Sequence, residues 1–422
     1  MEKTITLVVF AVALALFVAD FLPMGLVVFS VPLALYFAGV IDQADIFAPL
    51  VGQSIVLVVA MSVIGAALFK TGMAEKIGTW LFRLCRGERS LVMAVVLFSG
   101  LVSGFVSNTG TVAVLLPIVV SVAAARRISP SRLLLPLAAG ATIGGNISVI
   151  GSPGNLIAKE AIERLSVGSM SVTFFAYAKI GVPLLLATAL FFALFGRSVV
   201  PDKGATAAGE RAVGQRSKTD ARGWFALAVL VVTVVLMVAA DSVKCLPPMH
   251  ITACVGAVAV VLGGVLTQKE AFAAFDMQAV FLLSFMTPLG KAMVSTGAAD
   301  GIASAVVDVV GGHGPMVVMS VLWLVVWALT QVMSNTATCV LFCPIAWTIA
   351  KAIGADPRAV VIAVLIASSV AVCTPLSIPA NSMILEPGNL RFKDFFKPGL
   401  WLSLVAFAVS MVLLPMLYPL YP

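Results

Sequence analysis

Apolar segments long enough to cross a bilayer, or to reach partway into one, recur fourteen times along this chain. A hydrocarbon core ~30 Å thick is crossed by about 20 apolar helical residues. The first seven segments lie roughly at 4–20, 23–40, 54–69, 91–106, 110–125, 131–157 and 176–196. The second seven lie roughly at 223–240, 249–266, 278–295, 316–333, 337–351, 358–385 and 399–418. Between the sets stands a charged stretch, 197–222, carrying Arg197, Lys203, Arg211, Arg216, Lys218 and Arg222. Of 422 residues, 61% are apolar and only 11% charged, against ~25% charged in soluble domains. No soluble globule could hide this much apolar surface. The composition excludes a secreted enzyme, a nucleic-acid module and a disordered adaptor, and predicts an all-α polytopic protein of the cell membrane.

The two halves share more than their segment count. Lys70-Thr71-Gly72 is matched by Ser295-Thr296-Gly297, and Ser107-Asn108-Thr109 by Ser334-Asn335-Thr336. Pro153-Gly154-Asn155 is matched by Pro379-Ala380-Asn381. The offsets from Thr71 to Thr296, from Ser107 to Ser334 and from Pro153 to Pro379 are nearly the same. Near-constant spacing predicts an internal repeat, a feature of transporter folds: one copy over 1–196, a cytoplasmic linker over 197–222, and a second copy over 223–422.

The orientation of the copies follows from counting. In each half the fourth and fifth segments are short and meet at Ser-Asn-Thr, which reads as a re-entrant hairpin (about 91–125 and 316–351). Five crossings per half remain, one of them a broken helix (about 131–165 and 358–385). Five is odd, so the second copy is expected to be inverted. With the N-terminus outside, eighteen of the 26 basic residues fall in loops assigned inside (70–89, 126–132, 197–222, Lys269 and 391–397). Seven fall outside (Lys3, Lys159, Arg164, Lys179, Lys244, Lys351, Arg358), and Lys291 lies within a span. The excess of inside cations is the usual bias of cytoplasmic loops.

The Ser-Asn-Thr triplets carry the chemistry. A polar triplet between two apolar legs puts irregular backbone at membrane depth, which is tolerated only where protein buries it or it lines a cavity. Ser, Asn and Thr are N-cap residues, so Ser107, Asn108, Thr109 and Ser334, Asn335, Thr336 should each open a helix. The free N–H groups and positive dipole end would then favour an anion. Unpaired carbonyls ending each first leg would offer hard-oxygen ligands to a cation such as Na+. In 151–155 and 373–381, proline and glycine should unwind a helix and bring Pro153, Asn155, Pro379 and Asn381 beside the hairpin tips. A capped kink is the alternative for any one of these features; their doubling at the repeat spacing argues against it.

Absences narrow the mechanism. No acidic residue stands centrally in an apolar run, whereas proton-driven carriers usually keep an intramembrane carboxylate or histidine. A metal cation held by neutral oxygens is therefore the expected coupling ion. Lys291 reads as a snorkelling side chain. The six cysteines form no CxxC pair, and the two histidines, His250 and His313, stand far apart in the chain, so neither disulfides nor a zinc centre is expected.

The doubled Ser-Asn-Thr, each with a broken helix ending in Pro-x-Asn, resembles the divalent anion:sodium symporter (DASS) family of the ion transporter superfamily, over about 50–400. The resemblance implies Na+-driven uptake of a dicarboxylate such as succinate or malate, of citrate, or of sulfate. It also implies a homodimer and an elevator mechanism. By position it implies one Na+ site from Ser103, Ser107, Asn108 and the Gly151 carbonyl. A second would use Thr330, the Met333 backbone, Asn335 and the Cys373 carbonyl. The anion would lie between Asn108-Thr109 and Asn335-Thr336, near Pro153 and Pro379. Two departures stand beside that site: members often carry Pro-Pro-Asn, and Ile378 replaces a usual small polar residue.

The expected protein is thus not an enzyme but a Na+-coupled importer of a small divalent anion, its partners being that anion, the bilayer and a second copy, with no nucleic acid. A C4-dicarboxylate is preferred over sulfate because two facing helix ends suit two separated carboxylates. An arsenite or Na+/H+ exchanger of the same superfamily is the alternative. A membrane-embedded enzyme ranks last: there is no HExxH, no paired nucleophile and no phosphate loop.

Overall fold

The computed structural model describes residues 1–19, 22–204, 221–243, 245–310 and 314–421. Lys244, His313 and the linker's Arg211, Arg216 and Lys218 lie outside the described residues. Within them the regular structure is helical, without strands. The first half contains α1 (Glu2–Ala19), α2 (Met24–Phe37), α3 (Gln43–Phe47), α4 (Gln53–Lys70), α5 (Met73–Leu84), α6 (Glu88–Ser103), α7 (Asn108–Ala125), α8 (Ser131–Gly144), α9 (Pro153–Leu165) and α10 (Ala178–Val199). The second contains α11 (Ala221–Ala240), α12 (Met249–Leu262), α13 (Gln268–Ala273), α14 (Met277–Ser295), α15 (Ala298–Val310), α16 (Pro315–Thr330), α17 (Asn335–Ala352), α18 (Pro357–Ser369), α19 (Pro379–Met383) and α20 (Phe392–Leu417). Helices α2 to α9 correspond in order to α12 to α19, each pair of starting residues separated by the same near-constant offset as the sequence motifs.

Local chemistry explains the shared boundaries. Gly72 and Gly297 adopt φ of 64° and 71°, the left-handed conformation that glycine reaches without strain. They end α4 and α14 and turn the chain into α5 and α15. Proline opens α9 and α19 at the first turn, where its missing N–H is harmless. Backbone without helix separates α8 from α9 (after a 3-10 turn at Gly145–Ile147) and α18 from α19.

Seven stretches are long and apolar enough to cross a membrane: α1, α4 together with α3, α7, α10, α11, α14 and α20. The protein is a multi-pass membrane protein. Four further apolar helices, α2, α12, α16 and α18, have 13 to 16 residues and reach roughly 20–24 Å. They fall short of a bilayer core alone. α16 belongs to an expected hairpin, and α7, a leg of the counterpart hairpin, is itself long enough to cross; α2, α12 and α18 would need their adjoining segments to make the expected crossings.

The halves interlock. α4 packs on α12, and α14 on α2; α9 packs on α17, and α19 on α7. Each helix that follows a break therefore lies against the Ser-Asn-Thr helix of the opposite half. Close approach is built in where α6 crosses α8: a Cβ on Gly144 would lie 2.1 Å from Gly100 Cα, so only glycine fits.

Ion pairs join the loops that the charge count placed together. Glu88 pairs with Arg132 and Arg197, Lys203 with Asp394 at 3.0 Å, and Lys70 with Glu270 at 2.7 Å. The Lys70 ammonium, then the Thr267 N–H and hydroxyl, hold the Glu270 carboxyl at about 2. A depressed folded-state pKa means a stabilising contribution that is full above the usual 4.5 and is lost as pH falls through about 2. Glu270→Gln should therefore lower the melting temperature of the detergent-solubilised protein near pH 7, with the gap to wild type closing below pH 4.5. A gap independent of pH would contradict the pairing.

Candidate functional site

Both triplets open helices. The Ser107 Oγ accepts from the Gly110 N–H at 3.2 Å, and the Ser334 Oγ from the Ala337 N–H at 3.1 Å. Ser107 (φ −61°, ψ 145°) and Ser334 (φ −66°, ψ 143°) have nearly the same extended conformation. The N-termini of two 18-residue helices meet at one cavity of about 300 Å³, the size of a small-molecule site. Ser107, Asn108, Thr109, Ser334, Asn335 and Thr336 all line it, together with Pro153 and Pro379. Phe17, Leu22, Met24 and Leu282 are among the apolar residues that also line it.

Among the described lining residues there is no cation, and Asp276 is the one ionisable side chain. Lys291 pairs with Asp45 and does not line the cavity. A bound anion would therefore be met by helix ends and neutral amide and hydroxyl dipoles. Asp276 caps α14, accepting from the Ala279 N–H at 3.0 Å. Sequence reasoning passed over it because it stands at the very start of an apolar segment.

Asn155 and Asn381, expected to touch substrate, have another place. The Asn155 Nδ2 donates to the carbonyls of Gly145 and Ser148 at 2.7 and 2.6 Å. The Asn381 Nδ2 donates to those of Ala371 and Thr374 at 2.8 and 3.0 Å. Each asparagine ties together the unwound backbone of its own half, at equivalent positions of the repeat. Both are buried, and neither lines the cavity. They hold the breaks in shape, which a backbone with so many unpaired carbonyls requires.

Behind the first triplet, oxygens crowd around two bare glycines. A Cβ on Gly151 would lie 2.4 Å from the Gly145 carbonyl oxygen, 2.9 Å from that of Ser103 and 3.0 Å from that of Gly104. One on Gly145 would lie 2.7 Å from Asn108 Oδ1 and 3.3 Å from the Gly151 carbonyl oxygen. The Ser103 Oγ donates to Asn108 Oδ1 at 2.6 Å. Main-chain and amide oxygens without thiolate or imidazole form a hard, neutral donor set, and this fits Na+. The Ser107 Oγ is engaged on the helix cap.

The corresponding groups of the second half, like those of the first, make internal hydrogen bonds. The Thr330 Oγ1 donates to the Ser368 carbonyl at 2.7 Å, and Asn335 Oδ1 accepts from the Thr336 N–H at 2.8 Å. The Gln331 carbonyl accepts from the hydroxyls of Thr374 (2.6 Å) and Ser377 (3.1 Å). Met333 is buried, its N–H on the Leu329 carbonyl. The Cys373 N–H donates to the Gln331 Oε1 at 3.0 Å. Just as Gly151 stands two positions before Pro153, its counterpart two positions before Pro379 is Ser377, which does line the cavity. Counting back from Pro379 rather than from the start of the polar run would have found Ser377. No comparable signal marked Gln331.

Interlocked helices of membrane-spanning length around a cavity of helix ends, amides, hydroxyls and the one carboxyl of Asp276 have the architecture of a membrane transporter. The chain belongs to the citrate transporter family, whose family model matches residues 5–249 and 244–421. It is a secondary transporter of the citrate/dicarboxylate type. It is similar to the uncharacterized transporter YfbS of Escherichia coli, 23% identical over 97% of this chain and 98% of that one. The sodium-dependent dicarboxylate transporter SdcS of Staphylococcus saprophyticus is 26% identical over 31% of this chain and 25% of its own length. The fold is that of the Alcanivorax borkumensis YdaH transporter crystal structure, with a TM-score of 0.62, 17% identity, and coverage of 92% of this chain and 90% of that one.

Proposed function

We propose that the protein is a sodium-coupled symporter that imports a small divalent anion, with a C4-dicarboxylate such as succinate or malate preferred. The observation that carries this reading is the meeting of both Ser-Asn-Thr helix N-termini at one cavity, with an oxygen cluster directly behind Asn108. Helix ends favour negative charge, and two of them facing one cavity suit a ligand with two carboxylates. Na+ at the Ser103, Gly104, Asn108, Gly145 and Gly151 oxygens would share Asn108 with the anion site. Cation binding would then draw the Asn108 side chain into a fixed position and offset the anion's charge at membrane depth. That shared residue is the coupling element of the proposal.

The same reading takes residues 1–196 and 223–422 as inverted repeats, each with a hairpin and a broken helix, joined through 197–222. Two hairpins and two breaks that pack crosswise would move together as one body against the α2–α14 and α4–α12 pairs, an elevator motion within each protomer of a homodimer. The coupled uptake is tested with purified protein in proteoliposomes. Labelled succinate should accumulate when an inward Na+ gradient is imposed and not when K+ replaces Na+. Sulfate uptake under the same gradient would favour the inorganic-anion form of the reading. No stimulation of either anion by Na+ would overturn it.

A further inference from the structure

Five repeat positions line the cavity from both halves; four carry the same residue in each half (Ser107/Ser334, Asn108/Asn335, Thr109/Thr336 and Pro153/Pro379) and one does not. Ser152 and Ile378 are counterparts in the repeat, each directly before the proline that opens α9 or α19. Their backbones are equivalent, with φ −145° and ψ 144° for Ser152 and φ −138° and ψ 129° for Ile378. Both side chains are buried and both line the cavity. The Ser152 hydroxyl, on a residue 3% exposed, has no hydrogen-bond partner among the described residues. A buried hydroxyl left unpaired is costly, and a ligand oxygen drawn against this part of the wall, with a small shift that uncovers the Ser152 oxygen, would relieve that cost. The twin position presents only the hydrocarbon of Ile378. The helices behind them differ too, 13 residues in α9 against 5 in α19.

We propose that Ile378 is a specificity-determining residue that polarises the cavity. The transported anion places one carboxylate at Ser152, Asn108 and Thr109, and lays the carbon skeleton that follows it against Ile378. The substrate is accordingly an organic carboxylate with a hydrocarbon segment. An inorganic oxyanion presents oxygen in every direction, so it would leave one oxygen dehydrated and unpaired against Ile378. A dicarboxylate presents methylene carbon there and keeps its second carboxylate for the Asn335 and Thr336 side of the cavity. This inference rests on the reading of the cavity as the anion site and adds which end of it selects the substrate.

The test uses the full chain in proteoliposomes under a Na+ gradient, with labelled succinate and labelled sulfate. Wild type should favour succinate at least about tenfold over sulfate, the effect of one hydrogen bond to a charged group. Ile378→Thr supplies the missing hydroxyl and should raise the sulfate-to-succinate ratio about tenfold. Ile378→Val shortens the side chain without adding polarity and should keep the wild-type ratio. Ser152→Ala should depress succinate uptake without moving the ratio towards sulfate. Competition of unlabelled sulfate against succinate in the wild type gives the same ordering without any variant. A ratio unchanged in Ile378→Thr, an equal shift in Ile378→Val, or a wild type that prefers sulfate would overturn the assignment to Ile378. Uptake of neither anion by the wild type would instead overturn the transport reading beneath it.

Discussion

Alanine at Asn108 is expected to lower Na+-driven anion uptake by more than about a hundredfold, and alanine at Asn335 by about tenfold or more, while each variant stays folded in the membrane. Asn108 is 8% exposed, lines the cavity, and turns its Oδ1 towards the oxygen cluster around Gly145 and Gly151. Removing its amide withdraws a dipole from both the anion and the cation side. Each hydrogen bond to a charged group contributes ~1.5–3 kcal/mol, so losing two leaves a hundredth of the activity or less. Helix capping is untouched, because Ser107 and Ser334 carry the caps. Asn335 serves the anion side alone in this arrangement, its Oδ1 held by Thr336. Its alanine variant should therefore raise the substrate concentration needed for half-maximal uptake and leave the Na+ dependence closer to wild type. Labelled uptake, beside a size-exclusion profile of each purified variant, checks both. Normal transport by the two alanine variants would remove the triplets from the site.

Gly151→Ala is the second large effect. The added methyl would meet three carbonyl oxygens at 2.4 to 3.0 Å, all backbone atoms that cannot swing aside. Overpacking of this kind costs about 1–3 kcal/mol, and here the strain falls on the atoms that would hold the cation. Na+ stimulation of uptake should be lost or displaced to much higher Na+ concentrations. Three residues on, Gly154→Ala is the internal control. Its methyl would meet nothing closer than 3.6 Å, and the counterpart of Gly154 in the second half is already Ala380. Transport by Gly154→Ala should match wild type. Equal loss in both variants would mean general disruption of the break rather than obstruction of a cation site.

Much of this was legible in the sequence, for a physical reason. Apolar runs, Ser-Asn-Thr caps, Thr-Gly helix ends and Pro-opened helices are local signals, and local signals at constant spacing mark the helix order. The convergence of Ser107, Asn108 and Thr109 with Ser334, Asn335 and Thr336 followed from the same spacing. What the sequence concealed was how side chains are used once the halves interlock. Asn155 and Asn381 look like ligands in a string of letters, yet their amides satisfy carbonyls of their own breaks. Gln331 fills with its side chain a place where the first half has the bare Gly104. Asp276 reaches the cavity wall because α14 packs against α2, a contact between halves that no local pattern carries. The unpaired hydroxyl of Ser152 became visible only when every neighbour could be counted.

The account depends on neutral dipoles from two opposed helix ends holding a charged ligand inside the membrane. A cryo-EM map of the protein reconstituted with Na+ and a saturating dicarboxylate measures this most directly. The account predicts ligand density bridging Asn108 and Asn335, with a smaller peak among the oxygens of Ser103, Gly104, Asn108, Gly145 and Gly151. Density for the anion at any surface away from both triplets, with the cavity between them filled only by water, would contradict it.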